Sequence, residues 1–191
     1  MPLSLPLRGD GFILREFLPP DAQALAAIEF DPDVKRYLAV PDKPRSEWIE
    51  NIQRVGIRGW VVQRDDGQVA GSASLDRARR KGDGELRIVI GKDFWGQALG
   101  SKVAKLLIQV AFEQLSAKAI IGVVHPDNKA SLRLVRLFRF RRRGVKQDPD
   151  PQWQLGHYIY RLTKRAYNQQ IERDASPAAL RLLARSPHLR R

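Results

Sequence analysis

The stretch Lys92–Leu107, KDFWGQALGSKVAKLL, places two glycines and several small residues directly ahead of a helical pattern. Leu99, Val103, Leu106, Leu107, Val110 and Leu115 recur at helical spacing, which predicts a helix from about Leu99 to Leu115 with one buried stripe. The segment before it, GELRIVIG (84–91), has a β-branched centre and is predicted as a strand. A strand, a small-residue turn and a helix start make an anion site in principle. The first helical N–H groups lack internal partners, the helix dipole adds positive potential, and glycine lets the backbone approach the anion. Spacing excludes two common phosphate loops. GQALGS does not fit G-x-G-x-x-G. Gly96 and Gly100 are too close for G-x-x-x-x-G-K-[ST], and Ser101-Lys102 stands in reversed order. A tight packing turn is the alternative reading.

Outward from this unit, strands and helices are interspersed. FILREF (12–17) alternates as a strand, and PPDAQALAAIEF (19–30) opens a helix at proline. PRSEWIENIQRV (44–55) is predicted as a second helix capped by Ser46. GWVVQR (59–64) and QVAGSASL (68–75) flank Asp65-Asp66-Gly67, a hairpin signal. AIIGVV (119–124) is apolar enough for mid-sheet. A helix over 128–138 follows, then strands over 140–145 and 153–162 around KQDPDPQ. After Thr163 the chain is polar, with a short helix or disorder expected beyond Ser176-Pro177. The class is mixed α/β.

The 191 residues contain no cysteine, and His125, His157 and His188 are not spaced as a metal pair, so no disulfide and no metal are expected. No apolar run reaches membrane-spanning length and MPLSLPLRGDGF lacks a secretory core, so a cytoplasmic location without membrane contact is expected. The net charge of +13 is uneven. Residues 1–132 hold 19 Lys+Arg against 17 Asp+Glu; residues 133–191 hold 15 against 4. The last third is therefore a basic surface suited to an acidic partner, or else a solvated face.

DFWGQALGSKVAKLL resembles the acyl-CoA pyrophosphate loop of the GNAT acetyltransferases, [Q/R]-x-x-G-x-[G/A]. Downstream, IIGVVHPDNKASLRLVRLFRF resembles that family's strand, N-x-x-[A/S] step and helix, with Asn128, Ser131 and Phe140 at matching places. FILREFLPPDAQAL and PQWQLGHYIYRLTKRAY resemble the Rim-type ribosomal-protein N-terminal acetyltransferases. The resemblance covers roughly residues 10–167. It implies a mostly antiparallel, twisted sheet of about six to seven strands flanked by helices, with parallel strands around the CoA cleft. It divides the chain into a GNAT-like domain, 1–167, and a basic tail, 168–191. Four positions depart from the pattern: Trp95 for Gln or Arg, Ala98 for the first Gly, Arg139 for the Gly of the closing pair, and Val135 where many members carry Tyr.

The resemblance implies acetyl transfer from acetyl-CoA to a primary amine, a protein N-terminus favoured, by direct attack in a ternary complex. Glu85 is the implied base and Ser131 the thiolate acid, with Tyr158 or Tyr160 as alternatives to Ser131 and His157 as an alternative base. Backbone groups of Ile88, Val89 and Ile90 would pair with the pantetheine arm. The turn Trp95, Gly96, Gln97, Ala98, Leu99, Gly100 and Ser101 would hold the pyrophosphate, with Lys102 or Arg141–Arg143 near the adenosine phosphate. Asn128 is the expected pantetheine contact. The residues alone also allow structural roles: Glu85 as a strand glutamate paired with Arg87, and Asn128 as an N-cap. The basic surface suits an acidic or RNA-associated acceptor, and a homodimer is possible. The alternatives are a nucleic-acid- or ribosome-binding module on the same scaffold, or acetylation of aminoacyl-tRNA.

Overall fold

The computed structural model describes residues 5–38, 44–78, 80–147 and 156–174. Its strands are β1 (Leu7–Gly9), β2 (Phe12–Arg15), β3 (Trp60–Arg64), β4 (Val69–Arg77), β5 (Asp83–Ile90), β6 (Ala119–Val124), β7 (Arg141–Val145) and β8 (Tyr158–Thr163). The helices are α1 (Asp21–Glu29), α2 (Pro32–Lys35), α3 (Arg45–Val55), α4 (Leu99–Gln109), α5 (Lys129–Leu137) and α6 (Lys164–Asp174). All eight strands form one sheet in the order β1-β2-β3-β4-β5-β6-β8-β7. Every pair is antiparallel except β5 with β6. The expected count of six to seven misses β1. It is three residues long, too short for an alternation to show, and turns into β2 through Gly11 at φ 82°.

Period-2 alternation divides the sheet into two differently covered faces. Leu86, Ile88 and Ile90 of β5 pack with Leu99, Val103 and Leu107 of α4 and with Phe12, Leu14 and Val62. Ile120 and Leu162 extend this face to Ile108, Ala111 and Phe112. On the opposite face Val61 meets Ala22 and Leu25 of α1 and Ile52 of α3. Ser72 stands opposite Val61 in the ladder, so the α1 side also receives Ser72, Ser74, Glu85 and Arg87.

Several local expectations change. α3 begins behind Pro44, and Ser46 lies in its first turn rather than at its cap. α4 ends at Gln109 and continues as a π-helical turn, Val110–Gln114. Leu115, expected in the buried stripe, is exposed beyond that turn. Widening the helix changes which face each residue presents. The Lys164 ammonium donates to the Phe112 carbonyl at 2.9 Å. Tyr167 stacks on Phe112 at 4.8 Å and donates its hydroxyl to Glu113 at 2.7 Å. Burial, then the Glu113 hydrogen bond, push the Tyr167 hydroxyl up to about 12. These contacts dock α6, which runs through the expected boundary at 167/168. The segment following Ser176-Pro177 lies outside the described residues.

The departure at Arg139 has a conformational meaning. Arg139 is left-handed, φ 56°, and the Phe140 N–H returns to the Val135 carbonyl at 2.8 Å, closing α5. Glycine is the easy residue for such a helix stop.

Candidate active site

β5 and β6 pair only from Asp83–Ala119 to Glu85–Ile121. Beyond those residues the two parallel strands separate and leave a fork in the sheet. β5 remains paired to β4 along its whole length. The Gly91 N–H donates to the Ala70 carbonyl at 2.9 Å, and antiparallel alternation then turns the Val89 backbone toward β4 and those of Ile88 and Ile90 toward the fork. A Cβ placed on Gly71 would collide with the Val89 carbonyl oxygen, which locates that oxygen on the β4 side. Val89, expected to offer its backbone to the pantetheine arm, is thus committed to the sheet. Ile88 keeps the fork orientation, and the Ile90 carbonyl accepts from the Trp95 indole N–H at 2.8 Å.

The turn after β5 is shaped by glycine and by its own side chains. Gly96 has φ 78°, a backbone that L side chains rarely adopt. The Gln97 amide accepts from Arg64 at 2.6 Å and donates to the Asp93 carbonyl at 3.1 Å, tying the turn to β3. Lys92 pairs with Asp33 of α2. Ala98, the N-cap of α4, is left-handed at φ 57° and ψ 6°. The Ser101 N–H and hydroxyl both donate to the Ala98 carbonyl, at 3.0 and 2.7 Å. The N–H groups of Gln97, Ala98, Leu99 and Gly100 have no acceptor among the described residues. Within the expected phosphate turn, the N–H groups already used are therefore those of Ser101 and of Trp95, which donates to the Lys92 carbonyl at 3.0 Å. Lys102 bonds Asp10 at 2.8 Å.

α5 meets this turn across the fork. A Cβ on Gly100 would lie 3.8 Å from Ile90 and 3.9 Å from Leu134. Leu134 and Ser131 are three apart on α5 and share a face. Asn128 caps α5, its side-chain oxygen accepting from the Ser131 N–H at 2.9 Å. Gly122, just past the last β5–β6 pair and opposite Tyr160, has nothing within 4 Å of a built Cβ. Missing side chains at Gly122 and Gly100, free helix N–H groups and an unpaired strand edge make a slot whose walls are mainly backbone. An extended chain ending in phosphates fits such a slot, so these residues suit acetyl-CoA.

The α1 side of the fork differs. Glu85, Arg87 and Asp83 alternate along β5 on that face, next to Asp76, Ser74 and Ser72 of β4. Asp83 is buried and bound by Arg161 through Nε and Nη2 at 3.0 and 3.2 Å. The Ser74 hydroxyl donates to Asp76 at 2.8 Å, and Arg58 lies 3.6 Å from Asp76. Glu29, the last residue of α1, is half-buried, with Ser72 hydrogen-bonded to its carboxyl and Arg87 nearby. Burial pushes the Glu29 carboxyl up to about 7, against the pull of Arg87 and Ser72. The negative end of the helix dipole acts in the same direction.

Glu85 and Ser131 stand on opposite sides of the sheet, joined only through the fork. His157 is 3 % exposed, its ring edge-on to His125 at 5.0 Å, and Tyr37 stacks edge-on to His125 at 5.6 Å. His125 Nδ1 accepts from the Asp127 N–H at 3.1 Å, which leaves its neutral-form proton on Nε2. Tyr158 is covered by Arg142, 3.7 Å above its ring. Sequence reasoning misses Glu29 because nothing separates it from an ordinary helix-terminal glutamate; only the fold brings it to Ser72 and Arg87.

Among the described residues no group of His, Asp or Glu is arranged to hold a metal, and no helix is long and apolar enough to cross a membrane. Residues 12–141 match the acetyltransferase (GNAT) domain family. An uncharacterized N-acetyltransferase, p20, of Bacillus licheniformis is 23 % identical over 166 residues, 81 % of this chain and 93 % of that protein. The crystal structure of a putative acetyltransferase from T. thermophilus has a TM-score of 0.72 at 22 % identity, covering 97 % of this chain and 98 % of that one. A putative ribosomal-protein-serine acetyltransferase from Vibrio cholerae has a TM-score of 0.68 at 16 % identity, covering 85 % and 99 %. With most of its folded core inside the family match and the fork in its expected place, the chain belongs to the GNAT family of acetyltransferases.

Proposed function

We propose that this acetyltransferase moves the acetyl group of acetyl-CoA directly to a primary amine, with a protein N-terminus as the favoured acceptor. The observation that carries the reading is the fork. A backbone-lined slot with free helix N–H groups lies on one side, and a row of carboxylates and Arg87 on the other. The thioester would enter from the α4 side and the amine from the α1 side. Glu85 would take the amine proton, directly or through a water, as nitrogen bonds the carbonyl carbon. As the C–S bond breaks, the Ser131 hydroxyl would donate to the departing thiolate. Holding the two substrates in line supplies much of the remaining acceleration. Support for a protein acceptor, of the Rim type or near it, comes from the likeness to the ribosomal-protein-serine acetyltransferase fold. The basic last third disfavours a polycationic acceptor.

A second assignment of the base is Glu29. Its carboxyl, held near 7 by burial, is matched to accept a proton at neutral pH. The pH–rate profiles of Glu85→Gln and Glu29→Gln decide between them: the base is the residue whose loss removes the acidic limb. The reading as a whole is tested by calorimetric titration with acetyl-CoA. Saturation at about 100 times the dissociation constant should stabilise the fold by roughly 2.7 kcal/mol. No heat and no melting shift at millimolar ligand would dismiss the transfer reading.

A further inference from the structure

A cavity of about 360 Å3 opens where β7, β8 and α6 meet, walled by Arg139, Arg141, Arg143, Arg161 and Arg165. Among the described residues only Arg161 is balanced, through its paired bonds to Asp83. The other four have no ion-pair partner among the described residues. Arg141 stands directly opposite Arg161 in the β7–β8 ladder, where like charges repel. The start of α6 adds the positive end of a helix dipole, and Thr163 caps it by accepting from the Ala166 N–H at 3.2 Å. Charge gathered in a concavity and left uncompensated disfavours the compact state unless an anion relieves it.

We propose that this cavity is a phosphate site that grips the sugar-phosphate backbone of a nucleic-acid strand. All the cations are arginines, whose planar forks bind phosphate oxygens in pairs as lysine cannot. Among the described residues the neutral part of the wall is Thr163, Ala166 and Gln169, none of them an aromatic ring for a base to stack on. Recognition is therefore of phosphates and independent of sequence. Four unbalanced cations match several adjacent phosphates better than one isolated anion. Beyond α6, residues 175–191 carry Arg181, Arg185, Arg190 and Arg191 and no acidic residue, continuing the same sign of charge along the chain. The site is separate from the acetyl-transfer fork. Arg139 follows the C-terminal end of α5, whereas Asn128 and Ser131 stand at its start, about 14 Å away along the axis. The proposal does not depend on acetyl transfer.

The test uses the full chain and a fluorescent single-stranded RNA of twelve nucleotides. Four phosphate contacts predict a log–log salt slope of roughly −3 or steeper, a loss of about fifty-fold between 50 and 200 mM. The double variant Arg139→Asn/Arg165→Ala should bind at least about tenfold more weakly at 100 mM salt, with its slope reduced by roughly 1.4. Both positions are exposed and asparagine accepts the left-handed backbone at 139, so the variant should melt no lower than the parent, and its acetyl-CoA titration should match the parent's. Unchanged affinity and slope in that variant would overturn the assignment. Equal competition by tripolyphosphate would replace the strand with a small anion, and equal competition by polyglutamate would replace it with an acidic protein; either result overturns the proposal.

Discussion

The two sides of β5 do their work with different parts of the chain. On the α4 side, Leu86, Ile88 and Ile90 are partly buried against the core, and what they leave for a ligand is backbone: a free strand edge, four N–H groups at the entry to α4 and two glycines. On the α1 side the same strand presents Asp83, Glu85 and Arg87 to a neighbourhood of Ser72, Ser74, Asp76 and Glu29. A site made of backbone tolerates changes of side chain provided the chain path is kept. That is why Trp95 and Ala98 can stand where the family pattern has other residues: Trp95 caps the Ile90 carbonyl, and Ala98 adopts the turn. A site made of side chains has no such latitude.

The largest effect should come from the side-chain face. Glu85→Gln is expected to lower turnover by about 10²–10⁴-fold with little change in acetyl-CoA affinity, and the loss should shrink at high pH, where the amine is already neutral. Steady-state rates across pH, with a parallel titration, check this. If affinity falls as much as rate, Glu85 supports the slot and the division between the faces is lost. Next is Asp83, at the closed end of the fork with its side chain 1 % exposed and bound by Arg161. Asp83→Asn leaves that guanidinium without a counter-charge and should destabilise the fold by about 3–5 kcal/mol in denaturant melts. A loss under about 1 kcal/mol would mean that solvent or another carboxylate compensates Arg161.

Glu29 sharpens the comparison through pH. Its folded carboxyl sits near 7 against an ordinary 4.5, so between those values the native state holds a proton that the unfolded chain has released. Stability from this group is therefore lost as pH rises from about 4.5 to 7 and is level above. Glu29→Gln should be nearly neutral at about pH 4.5 and stabilising at about pH 8, on the order of 3 kcal/mol at most. Equal melting of the two proteins at the higher pH would show that Arg87 already holds Glu29 ionised.

How far these features can be read from sequence depends on whether they are local. The β5–turn–α4 unit shows in the chain because the strand, the glycines and the helical stripe follow one another. Glu85 and Arg87 fall on one face by simple alternation. The Asn128 cap is likewise local, and it shows. The face that Glu29 joins is set by α1 packing on β4, with no trace in nearby residues. Val89 could be told from Ile88 only by knowing which edge of β5 is paired. β1 and α2 are too short for a period, and the left-handed backbones of Ala98 and Arg139 are imposed by closure of the surrounding turns.

The smallest effect tests the backbone face, and a pair of substitutions isolates it. Ala98 occupies a left-handed position that costs an L residue about 1–2 kcal/mol, and glycine would remove that cost. Glycine also loses more freedom on folding, by about 0.5–1 kcal/mol, so Ala98→Gly should raise stability by only about 0–1.5 kcal/mol. It should leave acetyl-CoA binding intact, because the path of the turn is unchanged. Gly100 is the converse. It lies inside α4, and an added Cβ would make ordinary contacts with Ile90 and Leu134, so Gly100→Ala should stabilise the free protein by up to about 1 kcal/mol. That same methyl would stand beside free N–H groups, where the phosphates must come close. Gly100→Ala should therefore melt higher yet bind acetyl-CoA more weakly, an opposition that a merely structural glycine would not produce. If both substitutions leave the titration unchanged, the phosphates do not approach the start of α4, and the backbone-lined slot loses its assigned ligand.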